Sequence, residues 1–134
     1  MRPLTLLVLF FLSAFEVTVA QAEDSKPDPR EKLETAIPNG IKMLTAKEFK
    51  PFIEKFVAPD DLKEITKRTT IEEFAKRFGE EKAVTLLKVL ENIKDTKPAF
   101  DKTETKATYT LTQTIGNKKS ITFKKVEKYW YIQN

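Results

Sequence analysis

Cysteine and histidine are both absent from the 134-residue chain. That removes the most nucleophilic side chain, and with histidine it removes the commonest general base and the commonest metal ligand. After residue 22, serine occurs only as Ser25 and Ser120, and neither sits in a nucleophile-elbow motif. The glycines Gly40, Gly79 and Gly116 are scattered, so no phosphate-cradling loop is present. Carboxylates remain: Asp60-Asp61, Glu72-Glu73 and Glu80-Glu81. Each pair falls where a helix is expected to begin, and acidic side chains there complement the helix dipole. None belongs to the spaced Asp/Asn loop that calcium requires. These residues predict no catalytic group, no metal site and no cofactor, and the chain reads as a non-enzyme.

Two sets of residues could serve binding instead. Lys118, Lys119, Lys124, Lys125 and Lys128 gather around one strand and its turns. With Tyr129 and Tyr131 they would make a basic aromatic surface for an anionic partner. The competing reading is a solvated strand face that lysine protects from edge pairing. The second set is aromatic. Phe52, Phe56, Tyr109, Phe123 and Trp130 would line a pocket for a small apolar ligand if the sheet curved around a space.

The elements that must position these residues are legible from periodicity. The chain is organised around its C-terminal run, Thr105 to Ile132, which reads as three antiparallel strands. Ala107, Tyr109, Leu111 and Ile115 alternate with lysine and threonine, the pattern of a half-buried strand. Gly116-Asn117 supplies a two-residue turn, and Ile121 and Phe123 mark the next inward face. Glu127-Lys128 is placed as a second turn, although neither residue favours positive φ. Trp130 and Ile132 then face one side, Tyr129 and Tyr131 the other.

Ahead of the strands lie helical stripes. Phe49, Phe52, Ile53, Phe56 and Val57 follow an apparent capping box, Thr45-x-x-Glu48. Pro51 predicts a kink or a helix beginning near it. Asp60 to Lys67 reads as a short helix capped by Asp60. Thr70-x-x-Glu73 is a second capping box, and Gly79 is placed to end its helix in the left-handed conformation. Glu80 to Lys94 is expected to be the longest helix, and Asp95 to Lys102 a crossover without regular structure. Arg30 to Leu44 has helical spacing, interrupted by Pro38 and Asn39-Gly40. The fold class is therefore α+β: about four N-terminal helices packed on one face of a C-terminal three-stranded antiparallel meander. The expected core is Phe49, Phe52, Phe56, Phe74, Phe78, Leu86, Leu90, Tyr109, Leu111, Phe123 and Trp130.

The first 22 residues have the form of a secretory signal. Arg2 precedes an apolar run from Leu4 to Ala14, and Ala20-Gln21-Ala22 is a small-x-small cleavage site. The run is too short to span a bilayer comfortably. Residues 23–36 are expected to be a polar leader, and residues 37–134 a single domain. The net charge of +4 is modest.

The stretch Ile41-Lys-Met-Leu-Thr-Ala-Lys-Glu-Phe49, then Phe56-Val-Ala-Pro59, then Ile121-Thr-Phe-Lys-Lys-Val126 and Tyr129-Trp-Tyr-Ile132, resembles small exported bacterial proteins. They are similar to a reduced form of the nuclear transport factor 2-like superfamily, which has a cone-shaped α+β fold. The resemblance covers about Ile37 to Asn134. Glu127-Lys128-Tyr129 stands where Asp-Gly-Lys is expected, a departure from the family's turn. Enzymes of that superfamily place Asp, His or Tyr in the cone. With no histidine, and no acid on an inward strand face, none of those roles carries over.

Composition and motifs together point to a secreted or periplasmic, non-catalytic binding or interaction domain. A cell-envelope component or a small apolar ligand is the expected partner, and nucleic acid is disfavoured for an exported chain. The alternatives are a small-ligand-binding or vestigial enzyme domain with a pocket between helices and sheet, and an anionic-surface binder using the lysine-rich strand.

Overall fold

The computed structural model describes residues 27–133. The signal and the cleavage site expected at its N-terminus lie outside the described residues. A 3-10 turn, Pro29–Glu31, precedes five helices: α1 (Leu33–Thr45), α2 (Phe49–Phe56), α3 (Pro59–Thr66), α4 (Ile71–Glu81) and α5 (Ala83–Ile93). Four antiparallel strands follow in spatial order: β1 (Ala99–Phe100), β2 (Lys106–Ile115), β3 (Lys118–Val126) and β4 (Tyr129–Ile132). The fold is α+β, with the helices N-terminal to the sheet, as the patterning predicts. The sheet has one strand more than expected, because Ala99-Phe100 pairs with Thr108 and Ala107.

Helix α1 starts inside the expected leader and runs straight through Pro38. Leu33, Ala36, Ile37, Gly40, Met43 and Leu44 form one buried stripe, while Pro38 and Glu34 are exposed. The Glu34 carbonyl left without its helical donor therefore lies on the wet side, where the loss is smallest. Because α1 reaches Thr45, that residue caps nothing. Its hydroxyl donates to the Ile41 carbonyl at 2.7 Å, and Glu48 is the residue before α2. Pro51 is the third residue of α2, where its missing N–H is one of those with no helical partner anyway. Asp60 does not cap α3 either. Ala58 holds the N-cap position, and Pro59 opens the helix.

Thr70 does cap α4, its hydroxyl accepting from the Glu73 N–H at 3.1 Å. Gly79 does not end α4, which continues to Glu81. A Cβ on Gly79 would lie 2.5 Å from the Phe49 ring, so glycine there lets α2 and α4 approach. Lys82 alone interrupts the helical path before α5, so the break expected at Gly79 falls three residues later, and the 13-residue α1, not the helix expected from Glu80, is the longest.

The core lies between α1, α2 and α5 and the inward face of the sheet. Phe52, Phe56, Phe123, Ile53, Leu90, Ile93 and Val89 are fully buried. Phe49, Phe74, Phe78 and Leu86, expected in the core, are half-buried at its margin. Gly116 turns between β2 and β3 with φ +63°, as its placement predicts. Glu127 turns between β3 and β4 with φ +59°, a conformation that suits glycine better.

The sheet edges are treated differently. On β4, Val57 forms a parallel bridge to Ile132. On β2, beyond the two residues of β1, the Asn92 side chain pairs with Thr112. Its Oδ1 accepts from the Thr112 N–H at 3.0 Å, and its Nδ2 donates to the Thr112 hydroxyl at 2.8 Å.

Candidate functional site

The five aromatic side chains expected to line a pocket are all buried. Phe52 stacks on Phe56, ring centres 4.8 Å apart, and on Phe78 at 5.7 Å. Tyr109 meets Phe123 edge to face at 5.7 Å. These rings pack against one another and the rest of the core between the layers. Burial pushes the Tyr109 phenol up to about 12, with the Glu34 carboxylate adding to the rise. The phenol therefore stays neutral and supplies no base. Trp130 also packs in the core and sits beside Phe100, ring centres 6.2 Å apart. It lines one of the smaller openings.

The five lysines do not form one face. Strand pairing sets Lys124 opposite Tyr131 and Lys125 opposite Trp130, and Trp130 lies on the inward side. Lys124 is also committed to Asp61, Nζ to Oδ2 3.2 Å. The Lys125 ammonium lies 5.7 Å from the centre of the Trp130 ring, and that of Lys128 lies 5.4 Å from the centre of the Tyr129 ring. The tyrosines are not a free outer face: Tyr131 is only 6% exposed. Arg30 covers it, with the guanidinium carbon 4.2 Å from the Tyr129 ring centre and 5.7 Å from that of Tyr131. Asp28 fixes this guanidinium through bonds of 3.0 and 2.9 Å, and Nη1 donates to the Lys55 carbonyl at 3.1 Å.

What the structure does open is a cleft of about 690 Å³ at one end of the two layers. Its helical wall is the end of α4 and the start of α5, and its other wall is the β2–β3 turn with the start of β3. Phe78, Leu86, Ile121 and Ile132 make an apolar floor. Thr85, Asn117, Ser120, Thr122 and Gln133 supply hydroxyl, amide or backbone groups around it, and Glu81, Lys82 and Lys118 carry the charge. An apolar floor with a few convergent polar groups is the usual composition of a ligand site. Three other clefts, of 520–530 Å³, are smaller.

The cleft lies along the start of β3. Strand β4 ends at Ile132, opposite Phe123, and among the described residues no strand continues along the first residues of β3 on that side. Of its lining, only Lys118 belongs to a set the sequence nominated for binding. Phe78 and Leu86 were read as core, and Ile121 as an inward strand position. Periodicity marks them as apolar, but it does not mark the place where they come together.

Among the described residues, no group of carboxylates could hold a metal ion, and no helix is long and apolar enough to cross a membrane. Comparison with protein families, curated proteins and solved structures returned no match.

Proposed function

We propose that this chain is an exported, non-catalytic binding domain whose ligand occupies the cleft between the α4–α5 junction and the start of β3. The observation that carries this reading is the floor of Phe78, Leu86, Ile121 and Ile132, of which Phe78, Leu86 and Ile132 stay half-buried at one end of the core. The export component rests on the form of residues 1–22. The non-catalytic component is supported by the absence of cysteine and histidine and by the lack of a nucleophile–base pair. Helices ahead of an antiparallel sheet are consistent with a reduced nuclear transport factor 2-like domain. In this reading the ligand sits at the open end of the layers rather than at their packed centre.

Titration with an anilinonaphthalene dye tests the site. Saturable binding to one site, abolished by Leu86→Asp in a variant that keeps its circular dichroism, is the expected result. Dye that fails to bind, or that binds the variant equally well, refutes the reading. Export is tested separately: the N-terminal sequence of protein recovered outside the cytoplasm should begin at Glu23.

A further inference from the structure

We infer that a second cleft, between the turn after α3 and the middle of α4, takes a phosphate monoester carried on an apolar group. This cleft has a volume of about 530 Å³. Ile65 and Phe74, both half-buried, give it an apolar floor. Arg68 and Arg77 stand exposed at its rim, and Thr69 adds a hydroxyl. Arginine is scarce in this chain: of 24 lysines and arginines, only Arg2, Arg30, Arg68 and Arg77 are arginine. Two of them line this one small cleft. Local structure fixes where both begin. The N–H groups of Arg68 and Thr69 donate to the Ile65 carbonyl at 3.0 and 3.2 Å, so a closed turn holds them against the end of α3. Arg77 follows Phe74 by three residues on α4, so the guanidinium and the ring share a helical face.

The carboxylates that line the cleft are already matched. Asp61 is paired with Lys124 at 3.2 Å, and Glu64 with Lys67 at 3.1 Å. Glu73 and Glu81 lie one helical turn before and after Arg77. Even so, among the described residues no carboxylate is ion-paired with Arg68 or Arg77. Arg30 differs, since Asp28 fills its fork. The charge left over at this cleft is therefore positive and belongs to two planar forks, each shaped for two oxygens. A carboxylate has one charge and two oxygens, enough for one fork. A phosphate monoester has three terminal oxygens and about two negative charges at neutral pH, enough for both. Its ester group would then rest on Ile65 and Phe74. Inorganic phosphate would leave that floor wet.

The test titrates the protein with phenyl phosphate at constant ionic strength and follows backbone amide shifts. Saturable shifts at Thr69 and Phe74 are expected. Arg68→Gln and Arg77→Gln should each weaken binding by about tenfold or more, the loss of a charged hydrogen-bond pair, with circular dichroism unchanged. Arg68→Lys and Arg77→Lys should stay several-fold weaker than the parent, because an ammonium is a point charge without a fork. Benzoate and inorganic phosphate should both bind more weakly than phenyl phosphate. Leu86→Asp should bind phenyl phosphate as the parent does, which keeps this site distinct from the cleft at the start of β3. Absence of saturation, unchanged affinity in both glutamine variants, or shifts confined to Leu86 and Ile121 would overturn the inference. Full affinity in both lysine variants would overturn it by reducing the cleft to a general cationic patch. Benzoate binding as tightly would overturn the phosphate assignment, and inorganic phosphate binding as tightly would overturn the apolar one.

Discussion

The guanidinium of Arg30 lies over the Tyr129 ring of β4, its central carbon 4.2 Å from the ring centre. The same group is held by both oxygens of Asp28 and donates to the end of α2. One side chain thus ties the start of the folded region to β4 and to a helix. Arg30→Ala should cost about 1–2 kcal/mol in chemical denaturation, the sum expected for a partly buried cation–π contact and a charged hydrogen-bond pair. Arg30→Lys should recover less than half, since an ammonium cannot reproduce the planar fork. Full recovery by lysine would show that charge alone matters.

Asp28 reports on the same latch through pH. Its hydrogen bonds with Arg30 outweigh the cost of its partial burial and lower its carboxyl from an ordinary 3.8 to about 2. The folded chain therefore holds the ionised form more tightly than the unfolded chain does. This contribution is complete above the ordinary value and is lost as pH falls through about 2. Asp28→Asn should flatten the acid limb of a stability–pH curve in that interval and leave its neutral region parallel to the parent's.

Gly79 separates two opposing effects. In an open helix, alanine would be preferred by about 1 kcal/mol. Here the added carbon would meet the Phe49 ring at 2.5 Å. Gly79→Ala should destabilise by about 1–3 kcal/mol, because the ring must move and disturb its edge contact with Phe78. A stabilised variant would mean that Phe49 shifts freely.

Glu127 carries the opposite expectation. It holds φ +59° at a turn where glycine is unstrained. Glu127→Gly should raise stability by up to about 1 kcal/mol in thermal or chemical denaturation, strain relief exceeding the extra chain entropy that glycine must lose. A lower midpoint would show that the glutamate side chain makes a contact worth more than the strain.

Where one face of an element meets the core, its pattern was readable from the chain. Phe52, Ile53 and Phe56 at helical spacing, and Ala107, Tyr109 and Leu111 at alternate positions, are buried as their periodicity implies. Positions decided by a distant neighbour were not readable. Gly79 looks like a helix terminator until Phe49 is set against it. Pro38 looks like a break until its freed carbonyl is seen to face water. Ala99-Phe100 is too short to show alternation and becomes a strand only because β2 is there to pair with it. The candidate site belongs to the same class. Phe78 and Leu86 on one side, and Ser120 and Ile132 on the other, are brought together across a sequence separation that no local window contains.

Asn92 answers the Thr112 backbone with an amide of its own. That side chain imitates a neighbouring strand on a stretch of β2 that would otherwise invite one. A strand approaching that margin of the sheet would find the Thr112 N–H already held, which guards it against fibre-like stacking.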